Sequence, residues 1–523
     1  MLDGGGGKPP PRLRALPLRH LRCHHPLAGE NSWNPFGLSR VSDCEGPVYG
    51  IDTGYEKQVG VMGNWRFCAA AALTLAIPGQ VSAQDTAKQT PGSSATDTQH
   101  RPRSGVRRDS DLSPSALTAD TQRTPPPGLF ADWFDIRKRL ADRGIGLSAR
   151  YASESAYNFS GGDRKLLRET GQFDVGVLLD LDKVVGLTGG AFQATVTYRR
   201  GRDLGADANL GVLQQVQEVY GRGQTVRLTQ FWYEQKLGEK LELKIGRTNP
   251  GEDFASFSCY FQNLSFCGAP PGNLNGDYWQ NWPVSQWGAR LRYDVNDHLT
   301  LKTAAYEVNP RNLEKDFVIG RFHDATGALI PIEAEWHRGD DDGRVGAYKV
   351  GGWVNTSNGD DVFYDLNRRP IAITGLEPLR RSARYGVYFN IQQQVTGTSK
   401  DGKSVTGLSV FLNATQADRA TSTTDNQVAA GLFYKGLVPW RPGDILGFGV
   451  ARTNVNGRVA KGQELDPTRP AVQDAEYASE IYYSVHPTKW LELRPNVQFV
   501  HNPGGVHDAN DVAVLGLKGA ITL

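Results

Sequence analysis

Arginine and glutamate side chains occur together around one long connection between two strand-like segments. Arg199 lies at the end of the first segment, Glu218 in the connection, and Arg227 at the start of the next segment. Guanidinium groups donate several hydrogen bonds and carboxylates accept them, so these opposed charges can hold a polar solute reversibly. The same residues could instead form salt bridges that only stiffen a wall. For Lys244 and Arg247, further along the chain, this structural role is the preferred interpretation.

Two tryptophans could add a flat apolar surface to such a site. Trp279 and Trp282 follow in a loop and could fold inward as a platform for the C–H face of a solute ring. Trp287 falls on an apolar stripe of the next segment and is expected to face outward. Only the first two tryptophans are therefore candidates for binding.

The motifs of catalysis and of nucleotide binding are absent or out of context. Gly397–Ser404 matches G-x4-G-K-S, but a phosphate-binding loop needs a helix directly after it. Val405–Thr415 alternates as a strand instead, so a polar turn is the preferred interpretation. The sequence has no G-x-S-x-G or H-E-x-x-H motif, and its histidines show no metal-ligand spacing. We therefore expect neither an enzyme nor a metal or cofactor.

Two of the five cysteines, Cys259 and Cys267, are eight residues apart in one loop. The other three, Cys23, Cys44 and Cys68, precede the expected mature protein. Export to an oxidising compartment favours a disulfide between Cys259 and Cys267. Metal binding is the weaker interpretation, because no His or further Cys lies nearby.

From Thr170 to Leu523 the chain repeats one unit of about ten residues that alternate apolar and polar, followed by a turn. In Asp511–Leu523, one face contains Ala513, Leu515, Leu517, Gly519, Ile521 and Leu523. Strands of a soluble sandwich usually have about 5–6 residues. Segments near ten residues, with polar residues opposite the apolar face, are typical of strands that cross a bilayer around a polar lumen. The sequence therefore predicts an all-β, antiparallel transmembrane barrel.

The apolar–polar alternation and the turns predict fifteen strands, and the order of the connections requires one more. Short turns alternate with long loops, and this order holds only if Leu329–Trp336 is a further strand, followed by a turn at His337–Gly343. Sixteen strands with both termini in the periplasm result. The other fifteen are expected at 147–158, 171–182, 190–200, 225–236, 240–247, 286–295, 298–307, 344–355, 383–395, 404–416, 426–436, 444–455, 475–486, 490–500 and 511–523.

The N-terminal part has the features of an export signal. Arg66 and the apolar run Phe67–Ile77 follow Met62, and a small-residue site ends at Ala83. We expect 62–83 to be a cleaved signal peptide. For 1–61, a non-native upstream extension from a wrongly chosen start codon is preferred over a genuine extension of the leader.

The segment between the signal and the barrel is polar. Residues 84–127 are expected to be a disordered linker. Leu129–Asp142 carries apolar residues at helical spacing and is expected to form a short amphipathic helix that plugs or braces one end of a barrel at 128–523.

Charge excludes some partners. The expected mature chain carries 50 Lys and Arg against 50 Asp and Glu, so it is neutral. A nucleic-acid partner and a strongly ion-selective pore are both disfavoured, because each needs a large excess of one charge.

Several motifs are scattered along the chain: Asp132-Trp133 with Gly144-Ile145, Gln217–Gly268, Gly288-Ala289-Arg290, Pro331-Ile332-Glu333, Gly386-Val387-Tyr388, and Pro495–Gln498 with Asn502–Gly505. Together they resemble the carbohydrate-selective porin (OprB-type) family over roughly residues 128–523. Two positions depart from the family's pattern: Asp135 and its neighbours, where the family usually has two glycines, and Leu523, where an aromatic residue is usual.

The resemblance implies a sixteen-stranded porin of the Gram-negative outer membrane that passes monosaccharides such as glucose by diffusion. Its expected partners are sugars, outer-membrane lipid and the barrel assembly machinery, and it could be a monomer or a homotrimer. A general porin, or one for organic acids or aromatic compounds, is the alternative, although neutrality argues against its cationic wall. An outer-membrane enzyme barrel is less favoured, because no catalytic set is visible.

Overall fold

The computed structural model describes residues 128–130, 136–257, 259–315, 317, 320, 323–339, 344–400, 403–469 and 471–523. The sequence-based expectations for 1–61, 62–83 and 84–127 lie outside these residues.

Sixteen strands form one closed antiparallel barrel, in which β1 pairs with both β2 and β20. The barrel strands are β1 (Ile145–Ser160), β2 (Leu167–Asp180), β3 (Gly190–Gly201), β4 (Val226–Leu237), β5 (Leu241–Thr248), β6 (Gln286–Asp294), β7 (Leu299–Val308), β8 (Gly327–Arg338), β9 (Gly346–Asn355), β12 (Arg384–Gln394), β15 (Gly407–Ala417), β16 (Thr424–Lys435), β17 (Ile445–Val455), β18 (Ala475–Ser484), β19 (Leu491–His501) and β20 (Val512–Thr522). Two hairpins lie outside the barrel, β10 (Gly359–Asp365) with β11 (Pro378–Arg381) and β13 (Ser399–Lys400) with β14 (Lys403–Ser404).

The predicted fold class is confirmed, and so is the strand that the order of the connections required. Leu329–Trp336 lies inside β8, which pairs with β7 on one side and β9 on the other. His337 belongs to this strand and not to the following turn. The G-K-S segment forms the small β13–β14 hairpin, in agreement with the rejection of a phosphate-binding loop.

Residues that alternate along each strand point alternately to the outside and to the inside of the barrel. In β12, Tyr385 and Val387 point outward and are 59% and 60% exposed, whereas Tyr388 and Asn390 point inward and are buried. Eleven residues span roughly 36 Å along a strand, or about 25 Å along the membrane normal at a tilt near 45°. This length matches the apolar band that a barrel presents to lipid.

Short α-helices and 3-10 turns occur mainly in the connections. Of the predicted helix Leu129–Asp142, the segment Ile136–Asp142 is helical and residues 131–135 lie outside the described residues. The prediction is wrong for Leu129 and Phe130, which lie in a turn where the backbone N–H of Leu129 donates to the carbonyl oxygen of Thr522. Among the helices that the structure describes, none combines the length and the apolar character that a bilayer crossing requires. The helices are Ile136–Asp142, Leu181–Val185, Leu204–Asp207, Pro250–Asp253, Pro270–Leu274, Ile371–Thr374 and Gly457–Leu465; the 3-10 turns are Glu218–Tyr220, Leu264–Phe266, Pro310–Leu313 and Pro503–Gly505.

Two long connections fold into the barrel. We call them the first inner loop (202–225, between β3 and β4) and the second inner loop (249–285, between β5 and β6). Phe261 of the second inner loop is fully buried, with its ring 4.8 Å from that of Phe266 and 5.0 Å from that of Tyr482 on β18. Apolar packing thus fixes this loop against the inner wall.

Candidate functional site

A cavity of about 520 Å³ lies between the two inner loops and the inner faces of β1, β2, β3, β19 and β20. Its lining mixes charged, amide and hydroxyl groups with three aromatic side chains. The charged residues of the lining are Arg150, Asp174, Arg199, Glu218, Arg222, Glu252, Arg494 and Lys518; the aromatic residues are Phe257, Tyr260 and Trp282.

Arg199 and Glu218, both predicted from sequence, meet at this cavity. Alternation along β3 points Arg199 inward, and its Nη2 atom lies 3.8 Å from Oε2 of Glu218. The guanidinium also donates to Oε1 of Gln172 at 2.6 Å and to the carbonyl oxygen of Gly221 at 2.6 Å. The arginine is therefore held in one orientation by the neighbouring strand and by the first inner loop.

Lys518 completes the charge cluster and was missed as a site residue in the sequence. Its Nζ atom lies 2.9 Å from Oε1 of Glu218 and 2.8 Å from Oε1 of Glu154 on β1. Glu154 also accepts a hydrogen bond from the backbone N–H of Val219 at 3.0 Å. Alternation along β20 places Lys518 on the inner face, but no local signal shows that the Glu218 loop reaches it.

Glu218 is a carboxylate at neutral pH. Burial would raise its pKa, but the charges of Lys518 and then of Arg199 overcome burial and hold the pKa below its usual range. An ionised carboxylate is only an acceptor. The cavity therefore contains a fixed acceptor between two fixed donors.

Arg494 and the two cysteines shape another part of the cavity wall. Cys259 and Cys267 are bonded to each other in the structure. Arg494 on β19 donates to the carbonyl oxygens of Cys259, at 3.1 Å, and of Tyr260, and its guanidinium lies 5.0 Å from the centre of the Tyr482 ring. These contacts tie the cysteine segment of the second inner loop to β19.

Arg227 is not part of the cavity lining, although the sequence made it a candidate. Its buried guanidinium donates to the carbonyl oxygens of Asn312 at 3.1 Å and of Glu314 at 2.9 Å. Both acceptors lie in the connection between β7 and β8. The contacts of Arg227 are those of a residue that fixes a loop to the wall.

Lys244 and Arg247 also lie outside the lining, with structural contacts. Lys244 is 2% exposed, and its Nζ atom lies 2.6 Å from Oδ1 of Asp253. Arg290 lies 3.2 Å from the same oxygen. Arg247 donates to the carbonyl oxygen of Ser285 at 2.7 Å. Both predicted cations thus attach the second inner loop to β5.

Asp253, on the helix Pro250–Asp253, is the anion at the centre of this attachment. Burial would raise its pKa, but the charges of Lys244 and Arg290 lower it to about 2. Its Oδ2 atom accepts a hydrogen bond from the hydroxyl of Tyr306 at 2.9 Å. The carboxylate is therefore ionised and fully partnered.

The two candidate tryptophans have different positions. Trp279 is fully buried, with its ring 5.4 Å from that of Trp353 and 6.1 Å from that of Tyr388, in edge contacts. Trp282 is part of the cavity lining. Only Trp282 is placed where a solute ring could contact it, because Trp279 has no exposed surface.

Comparison with known proteins agrees with the fold. The family model described as Carbohydrate-selective porin, OprB family, matches residues 164–523. Porin B of Pseudomonas aeruginosa is 40% identical over 415 residues, which cover 75% of this chain and 90% of that protein. The putative porin QuiX of Acinetobacter baylyi is 32% identical over 416 residues, 75% of this chain and 92% of that protein.

A solved structure shows the same architecture. The high-pH structure of Pseudomonas putida OprB superposes with a TM-score of 0.73 at 40% identity, and the match covers 76% of this chain and 99% of that one. The family model, the two relatives and the solved structure all match most of the chain. The chain therefore belongs to the carbohydrate-selective porin, OprB family, of the outer membrane.

Proposed function

We propose that the chain passes glucose-like monosaccharides by passive diffusion, and that the constriction lies at the cavity between the two inner loops. The observation that carries this proposal is the pairing of Arg199 with Glu218 at the wall of the cavity. A sugar hydroxyl both donates and accepts hydrogen bonds, so it can bridge such a pair.

The neutrality of the solute follows from the same pairing. The carboxylate of Glu218 lies between Arg199 and Lys518, and Lys518 also contacts Glu154. Opposed charges at this point of the wall reduce the local field and leave directional hydrogen bonds for a polyol, whereas the lining as a whole carries five cations against three anions. A sugar bound in this way is held weakly enough to leave again, as passage requires.

Aromatic side chains support a ring-shaped solute. Trp282, Tyr260 and Phe257 line the same cavity as the charged groups. The C–H face of a sugar is apolar, and an aromatic plane buries it while the hydroxyls remain with the polar wall. A polar wall with an aromatic surface is the combination that separates a sugar from an inorganic ion.

The test is single-channel conductance of the purified protein in planar bilayers, with glucose, maltose and succinate titrated in turn against chloride current. We expect glucose to interrupt the current in a concentration-dependent manner, and succinate to do so less well. Block by succinate without block by glucose would overturn the proposal in favour of an organic-acid porin. Equal indifference to all three solutes would favour a general pore.

A further inference from the structure

The inner face of β1 and β2 carries polar groups on more than one level along the passage. Arg199 on β3 is the register partner of Gln172, which in turn is opposite Ala152. We call the end of the barrel opposite the two inner loops the turn end. Arg150 and Asp174 are directly opposite each other, and each lies two residues closer to the turn end than Ala152 and Gln172. Two residues of a strand span roughly 7 Å, so Arg150 and Asp174 form a separate level below Arg199.

Both levels border the same cavity. Its lining contains Arg199 and Gln172 of the upper level and Arg150 and Asp174 of the lower level. The next level towards the turn end has the small inward residues Ser148 and Gly176, and a Cβ at Gly176 would lie 2.9 Å from the Ser148 hydroxyl oxygen. The space beside Gly176 is therefore filled by neighbouring side chains, and Ser148 is the residue of this pair that lines the cavity.

Arg150 differs from Arg199 in its partners. Among the residues that the structure describes, no hydrogen bond or ion pair engages the Arg150 guanidinium, and the side chain is half-buried. Its charge nevertheless contributes to the lowering of the Glu218 pKa, after burial and the charges of Lys518 and Arg199. The charge of Arg150 thus acts on Glu218, while the N–H groups of its guanidinium are available to a solute.

Asp174 supplies the matching acceptor. Its Oδ2 atom accepts a hydrogen bond from Gln172 at 2.7 Å, and the hydroxyl of Thr197 is a second hydrogen-bonding neighbour of the carboxylate. A carboxylate has about four acceptor positions, so further bonds are available. The Arg150 guanidinium, which has no protein partner among the described residues, thus lies on β1 directly opposite Asp174 on β2, whose carboxylate can accept further hydrogen bonds.

We propose that Arg150 and Asp174 form a second binding station for neutral polyols, on the turn side of the Arg199–Glu218 pair. This inference rests on the proposed function, since it assigns a second step to the same passage. A sugar that leaves Arg199 and Glu218 exchanges hydrogen bonds with Arg150 and Asp174 before it reaches the turn end. Two weak stations in series let a solute advance without one tight site from which release is slow.

The test measures glucose block from each side of the bilayer separately, in the full-length mature protein. The variants are Arg150→Gln, the conservative Arg150→Lys, and Arg452→Gln as a matched control that removes one arginine from the outward face of β17. For glucose added at the turn side, Arg150→Gln should lower the association rate about tenfold, as expected for the loss of one charge-assisted hydrogen bond. For glucose added at the loop side, the association rate should change by less than about twofold. Arg150→Lys should restore most of the turn-side rate, and Arg452→Gln should match the parent.

The outcomes separate this inference from the proposed function. Unchanged turn-side association in Arg150→Gln, with glucose block intact, overturns the second station and leaves the proposed function standing. Equal loss of block from both sides also overturns it, because one shared site then accounts for all binding. Absence of glucose block in the parent overturns the proposed function and the station with it. Retained loop-side block in Arg150→Gln shows that the variant has folded.

Discussion

The Nζ atom of Lys518, on the last strand of the barrel, lies 2.9 Å from Oε1 of Glu218 in the first inner loop, 300 residues earlier in the chain. Because β20 also pairs with β1, this contact joins the seam of the closed barrel to the wall of the passage. The charge balance at the cavity therefore depends on closure of the barrel.

Glu218→Gln should make the cavity more cationic with little change in its size. The amide keeps the shape of the side chain but removes the negative charge between Arg199 and Lys518. We expect glucose block to weaken by about tenfold, because the acceptor loses its charge, and anion selectivity to rise. Block curves and reversal potentials in a salt gradient measure both effects. Unchanged selectivity would show that the ion path avoids Glu218.

Arg199→Ala should widen the passage and reduce sugar discrimination together. The side chain is almost fully buried, and its loss removes the bonds to Gln172 and Gly221. We expect a higher conductance and a glucose affinity closer to that for maltose. Arg227→Ala is the contrasting variant: its side chain lies outside the lining, so it should lower thermal stability and leave the ratio of the two sugar affinities unchanged.

The sequence was sufficient for the barrel because alternation with a period of two residues is a local property, which each strand displays on its own. Alternation also assigns Arg199 to the inner face. It does not show that Arg227, Lys244 and Arg247 are covered, because that depends on where the inner loops pack. The long-range contacts of Phe261 with Tyr482 and of Glu218 with Lys518 have no signal within their own segments.

Cys259 and Cys267 should be disulfide-bonded in protein isolated from the outer membrane. The two sulfurs are bonded in the structure, and both cysteines line the cavity. Mass spectrometry of peptides prepared without reduction should yield one cross-linked pair. A preparation with two alkylated thiols at these positions would contradict the assignment. Reduction should increase current noise without closing the channel, because Arg494 still holds the carbonyl oxygen of Cys259.

Attachment of the second inner loop should be resistant to mild acid. The folded pKa of Asp253 is about 2, below an unfolded value of about 3.9, so its stabilising effect is present above pH 3.9 and is lost as the pH falls towards 2. The effect is worth roughly 2–3 kcal/mol. In Asp253→Asn this part of the pH dependence should disappear, and stability at neutral pH should fall, because Lys244 and Arg290 lose their anion. Heat-modifiable gel mobility between pH 7 and pH 2.5 measures both; parallel curves for parent and variant would exclude Asp253.

Trp282 should contribute to sugar affinity, whereas Trp279 should contribute to stability. Trp282 lines the cavity, and Trp279 is fully buried between Trp353 and Tyr388. Covering one CH2-sized group of a sugar is worth about 0.8 kcal/mol, which is roughly a fourfold change in affinity. Trp282→Leu should therefore weaken glucose block about fourfold and leave the thermal midpoint close to that of the parent. Trp279→Leu should lower the midpoint and leave the block constant of the folded fraction unchanged. If the two variants show the reverse pattern, the aromatic surface of the passage is formed by another residue of the lining, and Tyr260 is the next to replace.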